Sequence, residues 1–217
     1  MKRVFTYFLL PVCLCLLVIA YTAGAVTVEN ELGIYADLSA TPEAASTTAE
    51  PFVMFEAYLM VINPYNYHYV SARGAEPVER AMDTVHGFAC QMLASDPNCV
   101  IAEVHPVVQA TIDYNNQYHM FFDEPVPVPE DRIVHLATLS IMVLDDAPHA
   151  IYLGEADHWR EPEHMMIYDG AWGWLDYDSC IAYPSSSAYD KPVFGINQMV
   201  VSTDSESWGD VKSLFRQ

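Results

Sequence analysis

Positive charge is scarce in this chain. Its 217 residues hold nine Lys and Arg against 29 Asp and Glu, a formal net charge of −20 at neutral pH. Such a balance repels nucleic-acid backbones and anionic lipid, so neither is expected as a partner. Glycine is sparse at nine residues, and no G-x-G-x-x-G, P-loop or G-x-S-x-G pattern occurs. No D-x-D-x-D-G calcium loop is present either. Only one apolar run is long enough to span a bilayer, and it lies at the N-terminus. Cysteine is limited to five residues. Disorder is excluded by what is abundant: 52% of the chain is hydrophobic and 12% aromatic.

The N-terminal run has the anatomy of an export signal. "MKR" is followed by "VFTYFLLPVCLCLLVIA" and then by Ala23-Gly24-Ala25, a small-residue pattern suited to cleavage after Ala25. The expected organisation is a signal peptide over 1–25, an extension and linker over 26–51, and one globular domain over 52–217. The expected location is exported, periplasmic or secreted. An uncleaved segment would instead anchor the chain in the membrane. With Lys2 and Arg3 in the signal, seven basic residues remain to face all 29 acidic ones.

Export permits disulfides. Cys13 and Cys15 would leave with the signal, so Cys90, Cys99 and Cys180 remain. Cys90 and Cys99 in "CQMLASDPNC" are close enough in sequence to close a short loop, and a Cys90–Cys99 disulfide is expected.

Residues 76–94, "EPVERAMDTVHGFACQMLA", place Val78, Ala81, Met82, Val85, Phe88, Ala89, Met92 and Leu93 at steps of three and four. That spacing predicts one long amphipathic helix, started by Pro77 and stopped before Pro97. Elsewhere the period is that of strands. "FVMFEAYLMVI" (52–62), segments flanking Asn115-Asn116, "IVHLATLSIMVL" (133–144), "AIYLG", "EHMMIYDG", "WGWLDYD" and "VFGINQMVVST" (193–203) are read as strands. "DEPVPVPEDR" (123–132) and "CIAYPSSSAYDKP" are read as loops, and 205–215 as a short terminal helix. The expected fold is α+β: the helix packed on a curved, mainly antiparallel sheet.

The richest chemical neighbourhood is "DDAPHAIYLGEADHWREPEH" (145–164). Imidazole and carboxylate groups suit a first-row divalent ion, and His149, Asp157, His158 and His164 are the candidate ligands. Their spacing matches no HExxH helix, and no cofactor is expected. The following segment, "HMMIYDGAWGWLDYD" (164–178), resembles the His-strand-turn-Trp-Asp stretch of transglutaminase-like cysteine enzymes. The resemblance implies a hydrolase or transferase with His164 and Asp176 serving a Cys90 nucleophile. It covers about fifteen residues. It departs from that family at the thiol, since Cys90 falls near the end of the predicted helix, away from the N-terminal dipole that would acidify it.

Aromatic residues interleaved with acids point instead to binding. Trp and Tyr are enriched in interaction hot spots. Trp159, Trp172, Trp174 and Tyr177 are the expected anchors, and Glu161 and Glu163 supply charge. The functional expectation is a binding or inhibitor-like module for a protein partner, a basic one by charge complementarity. The metal-dependent or cysteine–histidine enzyme is the alternative.

Overall fold

The structure is a computed structural model. It describes residues 29–66, 79–113, 117–156, 164–170 and 178–200. The expected export signal and the expected terminal helix lie outside the described residues. Among the described residues fourteen strands run in chain order: β1 (Glu31–Tyr35), β2 (Ser46–Thr47), β3 (Met54–Ile62), β4 (Tyr65–Asn66), β5 (Arg80–Ala81), β6 (Thr84–Ala94), β7 (Cys99–Pro106), β8 (Ala110–Asp113), β9 (Gln117–Pro127), β10 (Ile133–Val143), β11 (His149–Gly154), β12 (Met165–Asp169), β13 (Asp178–Pro184) and β14 (Phe194–Ile196). One 3-10 turn, Pro42–Ala45, is the only helical piece among the described residues.

The α+β expectation is therefore corrected to an all-β fold. The segment expected to form the amphipathic helix becomes, over residues 84–94, the long strand β6. Its apolar spacing has another origin. Phe88, Cys90 and Met92 alternate into the main core, together with Val85, which is displaced by one position. The register shifts between Val85 and Gly87, which is a bulge. Ala89 faces the other way into a second apolar cluster. A strand buried on both faces, with a bulge in its pattern, imitates the three-and-four spacing of a helix.

The strands form two layers around one core. The first layer runs β1-β3-β10-β7, antiparallel throughout. In the second, β6 pairs with β9 along one edge and with β12 and β11 along the other. β8 extends it beyond β9, β13 beyond β12, and β14 and β2 beyond β11. β1 bonds β13 in parallel and β3 in antiparallel fashion, which joins the layers at one side. Leu32, Leu59, Leu139 and Ile141 meet Phe88, Met120, Ile167 and Phe194 between them, all fully buried. Each such side chain contributes roughly 1.5–3 kcal/mol relative to exposure.

Residues 31–35, placed by composition in the extension, are thus a buried strand. Asn30 fixes its start. Its side chain donates to the carbonyls of Tyr65 and Ile181 and accepts the Tyr65 N–H, so a fully buried amide ties three segments together. Residues 180–184, expected as the start of a loop, belong instead to β13. The proline-rich stretch after Phe122 continues β9 as far as Pro127. β8 pairs only as far as Phe122. Asp123 N–H still donates to the Gln109 carbonyl at 2.9 Å, and beyond it no strand among the described residues pairs with the outer edge of β9, so Pro125 interrupts no ladder there.

Candidate functional site

At one end of the sandwich the opening of the "DDAPHAIYLGEADHWREPEH" stretch builds a closed polar network. His149 is the first residue of β11. Asp96 sits in the β6–β7 turn and Asp145 in the β10–β11 turn. The imidazole, 1% exposed, lies between them: Nδ1 is 2.9 Å from Asp96 Oδ2 and Nε2 is 3.0 Å from Asp145 Oδ1. Ionised carboxylates only accept, so the geometry favours the imidazolium, in which both ring nitrogens donate. Burial alone would pull the His149 pKa down. The hydrogen bond and charge of Asp96, and then those of Asp145, outweigh it and raise it above the ordinary value. Asp96 is lowered to about 2, by its bond to His149 and then by the Ser95 hydroxyl. Asp145 is lowered by the Ala147 N–H, the Asn98 amide and His149.

The turn residues complete the network. Asp96 Oδ1 accepts the Asn98 N–H at 2.9 Å, and Asn98 Nδ2 donates to Asp145 Oδ2 at 2.7 Å. Ser95 Oγ accepts the Ala150 N–H at 3.0 Å, and Gln198 donates to the His149 carbonyl at 2.7 Å. The arrangement staples two turns together. Both ring nitrogens are taken up by carboxylates. Among the described residues no group of three or more His, Cys, Asp or Glu could hold a metal ion. Of the other expected ligands, Asp157 and His158 lie outside the described residues. His164 forms an isolated bridge with Ala156.

β12 carries the second feature. Its Met166 and Tyr168 turn away from the main core and cluster with Ala89 and Ala156 on the outer face of the second layer. Phe121 stacks on Tyr168, ring centroids 4.8 Å apart and 14° from parallel. At the strand's end, buried Asp169 accepts from Arg80 at 2.7 Å and from Asn66 at 3.0 Å. His86 contacts the Thr84 hydroxyl at 3.0 Å, and its pKa is lowered by burial against the opposing charge of Asp169. The chain enters β12 from 157–163 and leaves toward 171–177. Trp159, Glu161, Glu163, Trp172, Trp174, Asp176 and Tyr177 therefore flank it in sequence, and all lie outside the described residues.

Cys90, Cys99 and Cys180 are buried, and no disulfide joins Cys90 to Cys99, so the expected Cys90–Cys99 disulfide is corrected. Cys90 sits within β6 opposite Tyr118, and Cys99 opens β7 opposite Val143. Four residues of β6 and a turn separate them. Strand rise alone carries Cys90 about 13 Å from the strand's end, whereas bridged Cα atoms lie within about 7 Å. Burial pushes the Cys90 thiol far above its ordinary pKa. Cys99 is pushed up to about 11 by burial and then by the Asp96 charge. Nor does Cys90 meet His164 on a common face. Cys90 shares the main core with Met165, and strand alternation turns the preceding His164 to the opposite side. A thiol titration with a chromogenic disulfide is expected to count Cys90, Cys99 and Cys180 after unfolding and to find them slow in the native protein. Rapid modification of one native thiol would contradict this burial.

Two participants in this end of the molecule escaped the sequence reading. For Asp96 the available signal is S-D-P-N, which marks a turn as well as a helix stop. Phe52 was absorbed into a strand, yet it occupies a turn. The Glu50 carbonyl accepts the Val53 N–H at 3.2 Å, with Pro51 and Phe52 central. Phe52 has φ +62° and is 72% exposed. A left-handed bulky residue is disfavoured by roughly 1 kcal/mol or more; Pro51 followed by a strand was the available signal.

No known family's pattern matches the chain, and no curated protein matches it. Among solved structures, a type II cohesin domain from the cellulosome of Acetivibrio cellulolyticus is similar at 14% identity and a TM-score of 0.42, over 80% of this chain and 98% of that one. A cohesin module from a Clostridium perfringens family 33 glycoside hydrolase is similar at 9% identity and a TM-score of 0.37, over 73% of this chain and 98% of that one. The all-β architecture rests on the strand pairings themselves and not on these likenesses. Among the described residues no helix is long and apolar enough to cross a membrane.

Proposed function

We propose that the chain is an exported binding module for a protein partner, inhibitor-like in that it captures without turnover. Contact runs through the two segments flanking β12, with Trp159, Trp172, Trp174 and Tyr177 as anchors and Glu161 and Glu163 as charge partners. The supporting observation is the apolar cluster of Ala89, Ala156, Met166 and Tyr168, set on the outer face of a sheet whose inner face already closes the core. A strand buried on both faces is a rigid base for aromatic segments at its two ends. In this reading the module works without a cofactor or metal. The net charge favours a basic partner and speeds its capture at low salt.

The test is affinity capture from the exported fraction of the source cells, with the partner identified by mass spectrometry and its dissociation constant then measured. Trp159→Ala combined with Trp172→Ala is expected to weaken binding at least about tenfold, as loss of a hot-spot anchor does. Glu161→Lys with Glu163→Lys is expected to slow association and flatten its salt dependence. Unchanged affinity and salt dependence in both variants would overturn the proposal.

A further inference from the structure

The first layer has an outer face of its own, and one corner of it is left apolar. Strand pairing sets Met54, Met142 and Val100 side by side there. Met54 is 54% exposed, and the preceding turn adds Val53 and the protruding Phe52. The turn is held to the end of β10 by the Phe52 N–H, which donates to the Val143 carbonyl at 2.8 Å. The next row on the same face is Glu56–Ser140–Glu103. A register shift between Ser140 and Ile141 keeps Glu103 and Val100 on one side although they are three residues apart. Adjacent strands lie about 4.8 Å apart, so the two glutamates bracket Ser140 at roughly 10 Å. The sequence has no Lys or Arg from 81 to 131 or from 133 to 159, and none in β3, β7 or β10. Glu56 and Glu103 thus have no Lys or Arg on these three strands. Among the described residues Glu103 meets His105 Nε2, at 2.8 Å, and Glu56 the Tyr58 hydroxyl, at 3.3 Å.

We infer that this corner, the Pro51–Met54 turn with the Met54–Met142–Val100 row and Glu56 and Glu103 beside it, is a second docking surface. Its occupant is a cationic protein segment carrying an apolar side chain. The apolar row takes the anchor, and the glutamates take Lys or Arg on either side of it. Charge decides the occupant. A second copy of this chain would bring the same carboxylates against these, and an anionic membrane is repelled. Extended apolar patches on soluble surfaces mark interaction sites. This surface is independent of the segments flanking β12, so either assignment can fail alone.

The test uses the intact protein and a fluorescent synthetic peptide with a Leu-Phe pair between arginines. Two control peptides replace the arginines by glutamates or the Leu-Phe pair by serines. Anisotropy is expected to show saturable binding of the first peptide only, weakened by added salt. Phe52→Gly is the decisive variant. Glycine suits the left-handed φ at this position, so its melting temperature is expected to match or exceed wild type while affinity falls at least tenfold. Glu56→Gln with Glu103→Gln is expected to lose affinity similarly and to flatten the salt dependence. Trp159→Ala with Trp172→Ala should leave peptide affinity unchanged. Equal affinity in wild type and Phe52→Gly would overturn the inference, as would equal binding of the acidic peptide. Adsorption to phosphatidylcholine vesicles, lost in Phe52→Gly while no peptide binds, would assign the corner to a lipid surface and overturn it as well.

Discussion

Gly87→Ala is expected to cost at least about 3 kcal/mol, because an added methyl meets rigid backbone at a special φ. Gly87 lies in the middle of β6 at φ +151°, and a Cβ there would overlap the Met120 carbonyl oxygen of β9. The near atom belongs to the backbone and cannot rotate away. Relief requires β9 to move off β6, and Met120 and Phe88 are both fully buried at that crossing. The side chain of Tyr168, 3.0 Å from the same position, leaves no room on the β12 side. Urea denaturation measures the effect, and a midpoint within error of wild type would contradict the close approach. Gly154→Ala is the comparison. Its Cβ would first meet the Gln91 side chain at 3.2 Å, and Gln91 can shift. It is expected to cost far less.

His149→Ala is expected to lower stability by about 2 kcal/mol, since it removes two hydrogen bonds to charged groups whose carboxylates are partly solvated. For a chain of this size that is roughly 4–8 °C in melting temperature. The pH dependence separates the imidazolium from simple packing. The folded pKa of His149 is raised. Its stabilisation is therefore complete below the unfolded value of about 6.5 and is lost as pH rises through the folded value. Asp96 is depressed to about 2. Its share is present above about pH 4 and is lost as pH falls toward that depressed value. The stability gap between wild type and His149→Gln should thus be widest between about pH 4 and 6.5 and should narrow on either side. A gap that is flat with pH would mean that the ring is neutral and the clamp is ordinary packing.

The sequence announced strands where alternation and β-branched runs are local. β3, β10 and β11 fall within a few residues of their expected bounds, and β8 pairs with β9 across Asn115-Asn116 with Asp113 opposite His119. It misled where a strand's environment is set at long range. β6 is covered on both faces and interrupted at Gly87, so its apolar residues fall at helical intervals. β1 has only Leu32, Ile34 and Tyr35 to mark it, interrupted by Gly33 and preceded by Glu31. Its partners lie some 30 residues onward in β3 and about 150 onward in β13. The same holds for the candidate site. His149 was visible as a residue of interest, but its meaning depends on Asp96, 53 positions earlier. Only the fold brings the two turns together. Cys90 and Cys99 looked close because they are near in sequence, and strand extension separates them.

The most direct test of the central claim is photo-crosslinking. The intact protein would carry a photoreactive amino acid in place of Trp172, or of Lys191 in the loop before β14, and be irradiated with the exported fraction. Capture through the segments flanking β12 predicts one defined crosslinked protein from position 172, reduced by salt, and none from position 191. The same crosslinks from both positions, or none from position 172 while affinity capture still recovers a partner, would contradict it.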